Sequence, residues 1–180
     1  MRDTAAIGEY LPLDTDRLRI RKYRLTDMEE TRPMSQDPVL RQWIPSGVFN
    51  EEEHREYVAK SSADKAQDFI VEDKHTGEIV GEMTFHLWFV ERTWEIGWLI
   101  LPAYQGKGYA SEAARALINL GFRTMGLHRI IATAQPENPA SWRVMEKVGM
   151  RREGHYKQCI PRPDGTWWDE VFYAILADEL

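Results

Sequence analysis

Two glycines bracket a lysine at residues 106–108, inside the stretch LPAYQGKGYASEAARALINLGF, which passes from a loop into a helix. The first amide N–H groups of a helix have no internal acceptor, and the summed peptide dipoles make that end positive. Gly106 and Gly108 permit close approach of backbone to a ligand, with no Cβ between them. Gln105, Gly106, Lys107, Gly108, Tyr109, Ala110 and Ser111 therefore read as a main-chain cradle for an anion. Lys107 either adds a full charge there or is an ordinary solvated lysine. Two nucleotide-binding loops do not fit. The run Gly106-Lys107-Gly108-Tyr109 breaks the G-x-x-x-x-G-K-[ST] pattern, and Ser111 stands where a dinucleotide fingerprint needs Gly or Ala.

Other chemistries find little support. The histidines, at 54, 75, 86, 128 and 155, show no i, i+4 pair of the kind that holds zinc on a helix, so no metal is expected. Cys159 is the only cysteine, which excludes an internal disulfide and points to a reducing, cytoplasmic setting. No apolar run has the ~20 residues of a membrane span, and none near the N-terminus reads as a secretion signal. A net charge of −6 argues against a nucleic-acid partner and mildly favours a cationic one, such as an amine.

The elements that must position the loop follow from pattern. RLRIRKYR (17–24) reads as a strand, and Thr26 with Glu29 as a capping box for a helix to about Met34. Asn50 ahead of three glutamates opens a second helix. Strands follow at 67–73, 79–90 and 92–101, the first two forming a hairpin. A helix is expected from Tyr109 to Met125, a strand at 128–134, and a short helix from Asn138-Pro139 to Lys147. Two last strands flank the turn PRPDG. The order β-α-α-β-β-β-α-β-α-β-β, antiparallel in its middle, predicts a mixed α/β (α+β) domain spanning 1–180. The segment 94–134 has the form of a right-handed crossover between parallel neighbours.

In this context Gln105-x-x-Gly108-x-Ala110, straight after a strand ending in Leu-Pro, resembles motif A of the GNAT superfamily of acyl-CoA-dependent N-acyltransferases. ENPASWRVMEKVGM (137–150) resembles the motif that follows it in that family. DTDRLRIRKYRLTDMEE and DGTWWDEVFYAIL resemble the RimJ/RimL-type branch, which includes ribosomal-protein N-terminal acetyltransferases. The resemblance runs from about residue 13 to 177. It implies a single mostly antiparallel sheet whose central parallel pair splays around the cofactor, with about four helices beside it.

The resemblance also names the anion as the pyrophosphate of acetyl-CoA. It implies that the backbone of Trp98, Leu99 and Leu101 walls the pantetheine arm, with the acyl carbonyl near Leu99 and a backbone N–H there to polarise it. Asn138 would bond the arm, and Arg143 would reach a phosphate. The reaction moves an acyl group to a primary amine, either a protein N-terminus or a small molecule. A base must take a proton from that amine. Glu95, on the strand beside the acyl site, is the first candidate, Glu82 the second and Asp169 the third. Many family members place a tyrosine where this chain has Met145, so the acid is open, with Ser141 as substitute and Tyr109 or Tyr156 behind it. That gap leaves a second reading, an acyl-CoA-binding module without turnover. Trp43, Phe49, Trp167 and Trp168 would wall the acceptor pocket or meet a second subunit in a homodimer.

Overall fold

A computed structural model of the chain describes residues 7–162 and 164–180. The expected domain span of 1–180 and Pro163 of the hairpin turn extend beyond those residues. The strands are β1 (Leu13–Asp14), β2 (Leu18–Lys22), β3 (Asp68–Asp73), β4 (Ile79–Leu87), β5 (Thr93–Ile100), β6 (Arg129–Ala134), β7 (Arg151–Pro161) and β8 (Trp167–Leu176). The helices are α1 (Met28–Gln36), α2 (Glu51–Ser61), α3 (Tyr109–Arg123) and α4 (Pro139–Lys147). The strands form one sheet in the order β1-β2-β3-β4-β5-β6-β8-β7. Every neighbouring pair is antiparallel except β5 with β6, so the expected mixed sheet with one central parallel pair is what the chain builds.

Strand alternation divides the sheet into two faces. One carries Val71, Met83, Phe85, Ile96, Ile130 and Tyr173. It is covered by α3, whose Ala113, Ala114, Leu117 and Ile118 recur at helical spacing and are buried. The other carries Ile70, Ile79 and Leu99, and packs under Met34 of α1 and Val58 of α2. The crossover through α3 therefore leaves α1 and α2 alone on their face. Their cover ends where β5 and β6 part.

Several boundaries differ from expectation. Thr26 does not cap the first helix: it lies in a 3-10 turn, Leu25–Asp27, that runs into α1, and Asp27 Oδ2 accepts from the Arg24 amide at 2.8 Å across that turn. The helix continues to Gln36 past exposed Pro33, at the cost of one internal hydrogen bond. β4 stops at Leu87 rather than 90: the Trp88 N–H donates to the Thr93 carbonyl at 2.9 Å, the last rung before the chain turns at 89–92. α3 ends at Arg123 rather than at Met125, and the two-residue edge strand β1 was not anticipated.

Candidate active site

β5 and β6 pair only from Thr93–Arg129 to Glu95–Ile131. Beyond that point each stays fastened to its outer neighbour. β4 holds β5 as far as Ile100, opposite Gly81, and β8 holds β6 to Ala134, opposite Val171. Neither strand can leave its partner to close the gap, so a V opens in the sheet with Glu95 at its apex. The hydrogen-bonding parity of β5 follows from its ends. Leu101 N donates to Val80 O at 3.0 Å and Thr93 O accepts from Trp88, so the odd-numbered residues face β4. This corrects one expectation: the Leu99 and Leu101 amides are spent on β4. It is Trp98 and Ile100 whose amides face the gap.

A cleft of about 1090 Å³ runs through this V, from Gly106 and Gly108 on one side of the sheet to Trp43 and Glu170 on the other. At the first end the amides of Gly106 through Ser111 donate to no backbone carbonyl among the described residues. The first internal bond of α3 is Glu112 N to Gly108 O, at 3.0 Å. Gly106 and Gly108 hold φ of 75° and 82°, a region that only glycine enters without strain. The turn is braced from behind. Arg17 Nη1 donates to the Lys107 carbonyl at 3.0 Å while its Nε donates to Glu112 Oε2 at 2.7 Å. The Tyr109 hydroxyl donates to Asp73 at 2.7 Å in the interior, so it is engaged away from any acid role. The Gln105 side chain caps the end of β5, its Nε2 donating to Ile100 O at 2.8 Å. Lys107 leans on the Tyr104 ring, its Nζ 5.1 Å from the centroid. The turn thus presents a row of unpaired main-chain donors, with the Lys107 ammonium at its edge.

A Cβ built on Gly106 meets nothing within 4 Å, and one on Gly108 meets only Arg17 Nη2, at 3.6 Å. Substitution there acts through backbone conformation alone. Gly108→Ala is expected to cost about 1 kcal/mol of stability. It is also expected to raise the KM for acetyl-CoA about tenfold, since an amide row set 1 Å off loses its fit. Unfolding curves and initial rates check both, and an unchanged KM would separate this turn from donor binding.

Asn138 caps α4, its Oδ1 accepting from Ser141 N at 3.3 Å, and Pro139 occupies the first turn. Asn138, Ser141 and Arg143 all line the cleft, and the Arg143 guanidinium lies 5.4 Å from the Trp142 ring centroid. Met145 is buried in the cleft wall, an apolar group in the place where a proton donor was sought. Tyr156 lies half exposed on β7, outside the cleft lining.

The carboxylates sort by burial and partners. Glu95 is half-buried, with Oε1 3.5 Å from Thr133 Oγ1 and Oε2 3.9 Å from His86 Nε2. Burial pushes its carboxyl above the ordinary glutamate value, opposed by His86 and by the Thr133 hydroxyl. Glu82 lies deeper, under α1 and α2. Its Oε2 accepts from the hydroxyls of both Tyr23 and Tyr57. Burial drives this carboxyl up as well, against the pull of the Tyr23 hydrogen bond. Asp169, the third candidate, is outside the cleft. It accepts from His155 Nε2 at 2.8 Å, Lys157 Nζ at 2.7 Å and Gln158 N at 2.9 Å, which tie the β7–β8 hairpin together and hold its carboxyl low. Its neighbour Glu170 does line the cleft, and the sequence reading passed over it. Of the aromatic residues expected at an acceptor pocket, Trp43 lines the cleft with Trp98. Phe49 instead packs on Tyr57 and under Arg41, and Trp168 meets Arg162.

For Glu82 the sign of the pH dependence is fixed. A carboxyl raised in the folded state favours folding below its unfolded pKa, and that contribution is lost as pH rises through the folded value. Glu82→Gln keeps an acceptor for the two phenols and removes the charge. The variant is expected to gain thermal stability over the native chain, by a margin that grows as pH climbs from 5 to 8. A difference in Tm that stays flat across that range would contradict this.

A sheet opened between parallel strands has a row of free amides at one end and raised carboxylates at the other, an arrangement that suits a transferase acting on an extended donor. The chain belongs to the acetyltransferase (GNAT) domain family, whose model matches residues 17–151, and it is an acyltransferase. It is 47% identical to the uncharacterized N-acetyltransferase YnaD of Bacillus subtilis, over 93% of this chain and 98% of that protein. A crystal structure of a GNAT-family acetyltransferase from Bacillus anthracis superposes with a TM-score of 0.88 at 49% identity, covering 93% of this chain and 99% of that one. The [ribosomal protein uS5]-alanine N-acetyltransferase of Escherichia coli matches at 36% identity over 44% of this chain and 41% of its own length, in line with the RimJ/RimL resemblance. Acetyl-CoA is the donor that the family uses in general. Among the described residues no helix is long and apolar enough to cross a membrane.

Proposed function

We propose that the chain, read as one domain over 1–180, moves the acetyl group of acetyl-CoA to a primary amine by direct attack in a ternary complex, in a cytoplasmic setting. The observation that carries this reading is the alignment, along one cleft, of the unpaired amides of Gly106–Ser111, the gap-facing amides of Trp98 and Ile100, and the half-buried Glu95 at the apex. The turn at 105–111 takes the pyrophosphate, and Asn138 and Arg143 approach the donor from α4. A gap-facing amide on β5 polarises the acetyl carbonyl, where charge develops during attack. Glu95 takes the proton that makes the ammonium a nucleophile. The Ser141 hydroxyl, in the cleft wall, is placed to protonate the departing thiolate. Glu82, bound by two tyrosines, forms the floor of the acceptor side.

The acceptor is a protein N-terminal α-amine or a small-molecule amine. The comparison with the uS5-alanine enzyme supports the first, and the acidic residues Glu82, Glu95 and Glu170 along the cleft suit any ammonium. Thiol release from acetyl-CoA, measured with an alanine-terminated peptide, spermidine, an aminoglycoside and free amino acids, separates these classes. Intersecting initial-velocity lines with at least one of them are the expected result. Binding of acetyl-CoA with no thiol release for any amine would favour the non-catalytic module instead.

A further inference from the structure

Thr133 on β6 stands between two carboxylates. Its Oγ1 lies 3.5 Å from Glu95 Oε1 on β5, and Glu170 on β8 shares its face, two residues along from Phe172, which pairs with Thr133. All three side chains line the cleft on the face that α1 and α2 leave open. A hydroxyl has one hydrogen to give. If both glutamates are ionised, one of them accepts it and the other lies beside a like charge without that donor. A single added proton removes the conflict. One carboxyl donates to Thr133 Oγ1, and Oγ1 donates to the other carboxylate. We propose that Glu95, Thr133 and Glu170 form a proton relay that carries the acceptor's proton from the reacting amine toward the outer edge of the cleft.

The step rests on Glu95 being the base, and its balance is simple. The ammonium N–H bond breaks as the proton passes to Glu95, leaving a neutral amine. Glu95 gives a proton to Thr133 Oγ1 as the hydroxyl gives its own to Glu170, which returns it to water. The amine nitrogen then attacks the acetyl carbon, the C–S bond breaks, and the second nitrogen proton leaves with the thiol. Glu170 suits the outer place because it is half-buried and lies opposite half-exposed Tyr156 in the β7–β8 register. Burial raises both carboxyls, and Glu95 raises Glu170 further. Other charges face the same space. His86 on β4 opposes Glu95, Glu82 and Asp68 lie further along the face, and Arg143 and Lys147 come from α4 across the cleft.

Thr133→Val removes the hydroxyl and keeps the shape, whereas Thr133→Ser keeps the hydroxyl. With acetyl-CoA and the alanine-terminated peptide or spermidine as acceptor, T133V is expected to lower kcat about tenfold, part of what a positioned proton acceptor supplies, with the KM for acetyl-CoA unchanged. It should move the acidic limb of kcat/KM to higher pH, because ionised Glu95 loses a donor. T133S should restore both, and Glu170→Gln should move the limb to lower pH by removing the neighbouring charge. T133V at native kcat, or T133V and T133S equally impaired, overturns the relay. A titration of the glutamates labelled with 13C at Cδ needs no turnover. Coupled two-step titration of Glu95 and Glu170 is expected, collapsing to one step in E170Q, and independent titration in the native chain overturns the proposal. A fully active E95Q would remove the base assignment itself. An inactive E95Q beside native T133V and E170Q would remove only the relay.

Discussion

Glu95→Gln is expected to lower kcat by about 10²- to 10³-fold, the range that a positioned general base supplies. Glutamine keeps the volume of the side chain and an oxygen toward Thr133, so packing at the apex of the V is preserved. What goes is the ability to take a proton. The KM for acetyl-CoA should stay within about twofold, since Glu95 is at the apex and the amides of Gly106–Ser111 are in the turn that follows β5. The pH profile gives the sharper check. Burial raises the Glu95 carboxyl, so the ionised, working form accumulates only as pH climbs through that raised value. Native kcat/KM should therefore rise with pH along a limb above the ordinary glutamate pKa, and E95Q should lose that limb. Native kcat in E95Q would return the role to Glu82 or to water. A flat profile in both proteins would show that proton removal is not what limits the reaction.

How much of this was legible in the sequence depended on whether the signal was local. The glycine turn was legible because positive φ leaves its mark in residue type, and Asn50 and Asn138 because a cap is decided within four residues. The hairpins and the crossover followed from period and turn residues. The V was not readable from spacing. It exists because Gly81–Ile100 and Ala134–Val171 pair outward, contacts between residues far apart in the chain. The parity of β5 was lost for the same reason. Without the register against β4 nothing in TWEIGWLIL says that Trp98 and Ile100, rather than Leu99, present amides to the gap. Asp169 and Glu170 are adjacent in WWDE, and the sequence reading picked out Asp169. Alternation from buried Val171 and Tyr173 would have set Glu170 on the face opposite α3. What that face meets becomes visible only when β8 is paired with β6.

Gly81→Ala is expected to damage stability and donor binding together, for a reason that lies in the backbone of the V. Gly81 is buried on β4 opposite Ile100. A Cβ there would run into the Leu99 carbonyl, and would stand 3.0 Å from Ile100 Cα and 2.9 Å from its Cδ1. Two of these obstacles are main chain or one bond from it, so a side-chain rotation cannot relieve them. β5 must move away from β4, and the only free space is the gap that it borders. That movement carries the Trp98 and Ile100 amides into the cleft and narrows the cleft proposed for the donor. Overpacking of this kind costs about 1–3 kcal/mol, and a displacement near 1 Å costs on the order of 10²-fold in rate. Gly97 provides the comparison. A Cβ on it would meet Thr84 Cβ at 3.6 Å, an ordinary contact, so Gly97→Ala should keep native stability. Thermal unfolding of both variants, with acetyl-CoA affinity by calorimetry, makes the distinction. If G81A melted with the native chain and bound acetyl-CoA as well, β5 would not be held against β4 as tightly as the register demands, and the explanation of the V by outward pairing would fail with it.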